Sequence, residues 1–317
     1  MKIGISSCLL GDLCRYDGSG CKDSFVVDEL SKYFELMGYC PEEPVFGTPR
    51  DTIRLVGVNN QIRVHIVKSG EDVTDKLLNS SMVFAKKAKY DDLCGFVLKS
   101  KSPTCGLERV KVYEEKNAPS EKKGIGLFAN ELQKIYPNLP IEEEGRLNDP
   151  WLKENFLMQV FAYGDIKKFL ESDPKLKELV VFHTSYKYLI FAKSEKSYRS
   201  LGGIVANHEK LELTKVLKLY QEQFLKAINE KSNIKKTYNV LQHITGYFKK
   251  LISKDEKEHL LTACNEYKGG IIPLIAVTKL INLYVKRFDN KYLKSQKFLN
   301  PYPKELSLRS DIKAYKW

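Results

Sequence analysis

Along the first half of the chain, short apolar runs alternate with stretches whose apolar residues recur every three or four positions. KIGIS, residues 2–6, has the uninterrupted pattern of a buried strand. DSFVVDELSKYFELMGY places Phe25, Val26, Leu30, Tyr33 and Phe34 at helical spacing, then runs apolar into Cys40. IRLVGVNNQIRVHIV predicts a hairpin that turns at Asn59 and Asn60. VTDKLLNSSMVFAKKAKY carries a helical stripe of Leu77, Leu78, Met82 and Phe84, with Thr74 as its expected cap. LCGFVLKS is a continuous apolar run of the kind a parallel strand shows when both faces are covered. GIGLFANELQKIYPNLP is a further amphipathic helix, stopped by Pro137. This alternation predicts an α/β fold: an N-terminal open, mainly parallel sheet flanked by helices.

From Trp151 to about Phe288 the period is 3.6 and strand signals nearly vanish. The segments LKENFLMQVFAYGDIKKFLES, LKELVVFHTSYKYLIFAKS, LELTKVLKLYQEQFLKAINEKS, IKKTYNVLQHITGYFKKLIS and PLIAVTKLINLYVKRFD all repeat apolar residues at helical spacing. Gly269 and Gly270, followed by Pro273, mark one helix end and the next start. An all-α helical domain is therefore expected at 151–317, after an α/β domain at 1–150, with the seam at LNDP. The Pro- and Lys-rich tail from Tyr292 is expected to lie over the surface or to pack partly on a neighbour.

Length and charge add to this picture. A chain of 317 residues is long enough for two cores. No apolar run approaches the ~20 residues that span a bilayer. The opening MKIGIS lacks the apolar core of a secretory signal, so a soluble cytoplasmic protein is expected. Residues 1–150 hold 21 Lys and Arg against 23 Asp and Glu, whereas residues 151–317 hold 31 against 17. The basic second half suits a polyanion or an acidic partner, or simply solvated lysine-rich helix faces.

Seven cysteines in a reducing compartment point away from a disulfide framework and toward metal binding or reactive chemistry. Cys8, Cys40 and Cys105 each fall in a loop at the carboxyl end of a predicted parallel strand. Those ends share one edge of an open sheet, where ligands bind. Three such thiolates suit zinc or an iron–sulfur cluster with one position left open, and buried inert thiols are the plain alternative. A local zinc site from Cys8, Cys14 and Cys21 is the other arrangement, although its spacings fit no common zinc knuckle. Cys94 begins a core strand and Cys264 lies on a helix, and both read as structural.

The blocks SSCLLG, CRYDG, CPEE followed by GTPRDT, and SPTCG resemble, over residues 1–150, the signature of the thiouracil desulfurase (TudS-like) family. VFHTSYKYLIFAKS, YRSLGGIVA and NVLQHITGYFKK are similar to an uncharacterised domain often fused behind such modules. The resemblance implies a [4Fe–4S] cluster held by Cys8, Cys40 and Cys105, with the fourth iron free to take the sulfur of a thiocarbonyl. It implies non-redox desulfuration of a thiolated pyrimidine (thiouracil, thiouridine or its nucleotide) with release of sulfide. The family's acid/base glutamate and serine match Glu42 and Ser102. By themselves these two read as a solvated loop carboxylate or helix N-terminal charge, and as a turn residue before Pro103. Arg15 and Asp17 in CRYDG are candidate substrate clamps, or an ion pair that pins the loop. Arg50 is a candidate grip for a substrate phosphate through its planar fork, or a cap for the next strand. Cys14 is expected close to the site, and Cys21 reads as a loop thiol. One departure stands out: EPVFGTPR has the single Gly47 where many family members carry Gly-Gly-Leu, so a differently shaped pocket is expected.

In the helical half, His183 with Lys187, Arg199 with His208, and His243 among Tyr238, Tyr247 and Phe248 are candidates for gripping RNA or another polyanion. A lid over the cluster loops or a dimer face are the other roles open to this half. The competing function class is a nucleic-acid or protein binding module with a purely structural metal or cluster.

Overall fold

A computed structural model describes residues 1–59, 61–114 and 119–306. Asn60 of the expected turn and residues 307–317 of the tail lie outside the described residues. The chain divides into two compact units, Met1–Gly164 and Asp165–Ser307.

The first unit runs β1 (Lys2–Ser6), β2 (Glu35–Tyr39), α1 (Glu43–Phe46), β3 (Ile53–Val58), β4 (Gln61–Ile66), α2 (Thr74–Tyr90), β5 (Phe96–Leu98), β6 (Val110–Tyr113), β7 (Ser120–Gly124), α3 (Leu127–Ile135) and β8 (Ile141–Glu143). It enters α4 (Pro150–Glu171), within which the two units part. One sheet is wholly parallel, in the order β2-β1-β5-β8, with Ser6 opposite Tyr39 and Ile5 opposite Val97. The expected α/β architecture is present, and β1, β2 and β5 follow the apolar runs that predict them. Tyr39, Phe96 and Phe128 form the aromatic centre of the core beside this sheet, with ring centroids 5.1 Å (Tyr39–Phe96) and 5.6 Å (Phe96–Phe128) apart. Gly4 makes room for it: a Cβ there would fall 2.2 Å from the Phe96 ring.

A second, mixed sheet has the order β4-β3-β6-β7. The β3–β4 hairpin is antiparallel as expected, and β3 also pairs in parallel with β6. Beyond the hairpin the sequence pattern gives no sign of this sheet's edge, because β7, SEKKG, exposes most of its side chains. Such an edge strand is held by its backbone bonds to β6 and shows little apolar alternation. Two local readings also change. Phe25–Glu29 is a π turn and Leu30–Lys32 a 3₁₀ turn, so the helical spacing buries Val26 and Leu30 without an α-helix. Thr74 does not cap α2. Its hydroxyl donates to Asp72 (2.6 Å) and accepts from the Val64 N–H (2.7 Å), while Asp72 accepts from the Thr74 N–H at 2.9 Å.

The second unit is all helical among the described residues: the end of α4, then α5 (Leu176–Lys193), α6 (Glu195–Ala206), α7 (Leu213–Asn229), α8 (Ile234–Thr245), α9 (Lys254–Lys268), α10 (Leu274–Arg287) and α11 (Lys291–Lys294). The starts are marked in the sequence. Ser194 caps α6, Asn233 caps α8, and Ser253 with Glu256 closes a capping box on α9. Phe182, Tyr186 and Phe224 pack ring to ring, and Tyr186 donates to Asp165 at 2.6 Å.

Two of the residues expected to face a polyanion are packed inside this unit instead. Phe248 is fully buried. His183 lies beside Tyr220, 3.3 Å from its hydroxyl, and stacks on Tyr198. Burial, then the Lys187 charge, holds the His183 imidazole down at about 4 against its ordinary 6.5. The unfolded chain therefore takes the proton first as pH falls. This group's contribution to stability is full above about 6.5 and declines as pH drops toward about 4. Thermal unfolding followed between those limits should show the decline, and His183→Phe should flatten it; an unchanged slope in the variant would remove His183 as its source. Arg199 is exposed and pairs with Glu195, and His208 and His243 are exposed.

Candidate functional site

The carboxyl ends of β1, β2 and β5 lie side by side, so the segments that follow them meet. After β1 the chain makes a 3₁₀ turn, Ser7–Leu10, that carries Cys8 and closes on Gly11 in the left-handed region (φ 103°). After β2 come Cys40, Pro41 and Glu42, leading into α1. After β5 come Lys99 to Cys105. These segments, with the loop from Cys14 to Tyr16 and the stretch from Arg50 to Ile53, enclose a cavity of about 260 Å³.

Four thiols line it: Cys8, Cys14, Cys40 and Cys105. Cys21 does not; its N–H donates to the Cys8 carbonyl at 2.8 Å from outside the lining. Cys94 and Cys264 are buried in their own cores, as expected of structural thiols. The influence of Cys40 lowers the Cys14 pKa, but Cys8, burial and the Cys8 charge outweigh it and push the thiol up to about 12. Cys40 is pushed up by the Cys14 hydrogen bond and by burial. Cys105 is pushed up by burial and then by the Glu42 carboxylate. These groups are thus thiols at neutral pH unless a cation draws the thiolates out, which bound iron or zinc does. Among the described residues no three His, Cys, Asp or Glu side chains converge tightly enough to hold a single metal ion. A cluster spreads its cysteines over separate irons and does not require that convergence.

Glu42 and Arg50 form a well-buried ion pair in the cavity wall. Arg50 Nη2 stands 2.6 Å and Nε 3.2 Å from Glu42 Oε2, with the side chains 6% and 15% exposed. Arg50 Nη1 donates to the carbonyls of Cys14 (2.9 Å) and Gly47 (3.0 Å), and the Arg50 N–H donates to the Tyr16 carbonyl at 2.7 Å. The fork expected to grip a substrate phosphate is already engaged in tying three blocks together. Gly47, the point of departure from the family pattern, has φ 70°, which favours glycine, and offers its carbonyl to that fork. Removing one partner of such a pair leaves a buried charge. Arg50→Ala is therefore expected to destabilise the apo-protein by about 3–5 kcal/mol, measured by anaerobic denaturant titration. A loss under about 1 kcal/mol would class the pair with surface ion pairs.

Ser102 lines the cavity and shapes the turn that presents Cys105. Its Oγ accepts from the N–H groups of Thr104 and Cys105, both at 3.1 Å. Gly106 completes the turn, because a Cβ there would lie 2.8 Å from the Ser102 carbonyl. Arg15 lines the cavity, with its guanidinium 5.6 Å from the Tyr16 ring centroid. Asp17 stands outside the lining: it is exposed and accepts from the Ser19 hydroxyl (2.6 Å) and N–H (3.1 Å), shaping the turn that carries Arg15. The sequence reading missed Lys99 and Ser100, which line the cavity. Lys99 pairs with Glu144, and Glu144 also accepts from the Ser100 N–H and hydroxyl at 2.7 Å. Burial would raise the Glu144 carboxyl, but the Lys99 and Ser100 bonds outweigh it and hold it below the usual range. Only the position of Lys99 and Ser100 just past a strand end, in one of the loops that converge on a common edge, hinted at them.

Residues 3–144 match the model of the 2-thiouracil desulfurase family, and residues 187–303 match a family described as a protein of unknown function, DUF1722. A relative in Bacillus subtilis (strain 168), uncharacterized protein YbbK, is 32% identical over 108 residues, 32% of this chain and 71% of its own length. The chain belongs to the 2-thiouracil desulfurase family. Uncharacterized protein YbgA of Escherichia coli (strain K12) is 27% identical over 157 residues, 49% of this chain and 93% of its own. A solved structure described as [4Fe-4S]-dependent thiouracil desulfidase TudS is 26% identical over 46% of this chain and 93% of its own, with a TM-score of 0.38. The desulfurase match falls within the first unit and contains every residue of the cavity lining; the DUF1722 match falls within the second. No helix among the described residues is long and apolar enough to cross a membrane.

Proposed function

We propose that this desulfurase-family protein removes sulfur from a thiolated pyrimidine by hydrolysis, at a [4Fe–4S] cluster held by Cys8, Cys40 and Cys105. The observation that carries the reading is the meeting of these three thiols with Glu42 and Ser102 around one cavity, from three segments far apart in sequence. The donor set fits: all sulfur, drawn from separate loops, with a volume beside it for a small ring. When bound, a cluster with one iron free of protein sulfur supplies a soft Lewis acid that holds and polarises a thiocarbonyl. The rest falls to the chain. Glu42, held in place by Arg50, takes a proton from the water that adds to the ring carbon. Ser102, whose oxygen lone pairs face the Thr104 and Cys105 N–H groups, keeps its own proton for donation into the cavity. Arg15 at the wall orients the ring's polar edge. The balance is thiocarbonyl plus water giving carbonyl plus hydrogen sulfide, with no net electron transfer.

The full chain isolated without oxygen should be brown, contain iron and acid-labile sulfide in equal amounts, and release sulfide and uracil from 2-thiouracil. A colourless protein holding one zinc would replace this reading with that of a binding module.

The second unit is proposed to contact RNA or another polyanion, since the second half carries the excess of Lys and Arg. Binding of the full chain to RNA should then weaken steeply with salt, by about 10³-fold or more from 50 to 200 mM if six phosphates are met. A flat salt response would remove this role.

A further inference from the structure

Four thiols line the cavity, yet three complete the proposed cluster. The fourth, Cys14, is only 4% exposed and shares this lining with Cys8, Cys40 and Cys105. The Cys40 thiol in turn lies 3.9 Å from the Cys14 carbonyl. Its place is fixed from behind, because that carbonyl accepts from Arg50 at 2.9 Å. The turn beyond it is closed by the Gly18 N–H on the Arg15 carbonyl (3.0 Å) and the Arg15 N–H on the Ser19 carbonyl (3.2 Å). Cys21, by contrast, belongs to the same stretch of sequence and stays outside the lining. The fold thus brings one further soft donor to the basin of three ligands and keeps the next one away.

A cubane on three cysteines has one iron without protein sulfur, and such a corner loses iron to oxidants. We propose that Cys14 is a fourth, displaceable ligand that occupies this corner while no substrate is bound. The inference rests on the cluster reading above. In the exchange, the Cys14 sulfur–iron bond breaks as the substrate's thiocarbonyl sulfur bonds to the same iron. The freed Cys14 thiolate takes a proton from water, and no electron changes hands. Once sulfide leaves, the thiol gives up that proton and the bond re-forms. The device needs only soft-ligand competition, in which a thiocarbonyl sulfur competes with the thiolate for iron better than water does.

The test uses the full chain, anaerobically reconstituted, as wild type and as Cys14→Ser. Both are given limited oxidant, and the EPR signal of an oxidised three-iron cluster is followed. Cys14→Ser should lose its fourth iron about tenfold faster or more, in the range that removal of a supporting metal contact produces. On wild type alone, Mössbauer spectra should show four irons alike in sulfur ligation, with one becoming distinct when 2-thiouracil is added. Equal iron loss in the two proteins, or a distinct iron in the substrate-free wild type, overturns the proposal while leaving the cluster intact. A wild-type protein that takes up no iron overturns the cluster reading itself. The Mössbauer arm needs no substitution and holds even if Cys14→Ser folds poorly.

Discussion

Cys105→Ala should yield a protein that folds, stays colourless and releases no sulfide. Cys105 is buried (7% exposed), at the end of a turn fixed by Ser102 and Gly106, and the substitution removes a single sulfur atom. Little packing is lost, so far-UV circular dichroism of the apo-protein should match the wild type. Metal retention is another matter. Cys8 and Cys40, with only the displaceable Cys14 beside them, cannot hold a cubane against anaerobic gel filtration, and iron binding should fall well beyond the ~10–100-fold expected for loss of a supporting group. The same substitution at Cys264, buried in the second unit, is the control and should leave iron content unchanged. Full iron retention in Cys105→Ala would show that this thiol is core filler, and the desulfurase reading of the cavity would go with it.

Glu42→Gln separates chemistry from assembly. The amide keeps the size of the side chain and one oxygen for Arg50, so iron and colour should persist. What is lost is the group that accepts a proton. A positioned general base contributes about 10²–10⁴-fold, and sulfide release from 2-thiouracil should fall by that factor at unchanged iron content. The Arg50 pair makes the comparison sharp. Arg50→Ala should lower stability as well as rate, because it leaves the Glu42 carboxylate buried without its partner and frees the Cys14 carbonyl. If Glu42→Gln kept its rate per cluster, the carboxylate would be a strut of the loop and nothing more, since neutralising the partner of Arg50 lowers stability in either case.

The sequence by itself determined a good deal. Apolar runs fixed β1, β2 and β5, and a period of 3.6 fixed the helices of the second unit, because burial against a core writes its repeat directly into residue order. Its blocks carry the family likeness, and a general property of parallel sheets, that strand ends share one edge, put Cys8, Cys40 and Cys105 in one place. Tertiary structure decided what pattern cannot encode. The second sheet extends past the expected hairpin because β3 pairs with β6 and the exposed β7 pairs with β6, and backbone bonding leaves no trace in hydrophobicity. His183 turned inward because of the neighbours Tyr198 and Tyr220, which come from other helices. Arg50 became a clamp, Asp17 a turn residue outside the cavity, and Lys99 part of its wall. In each case the partner (Glu42, Ser19, Glu144) had to be known before the role of the charge was. A charge acts within a few ångströms, and distances of that order between separate segments are set by folding alone.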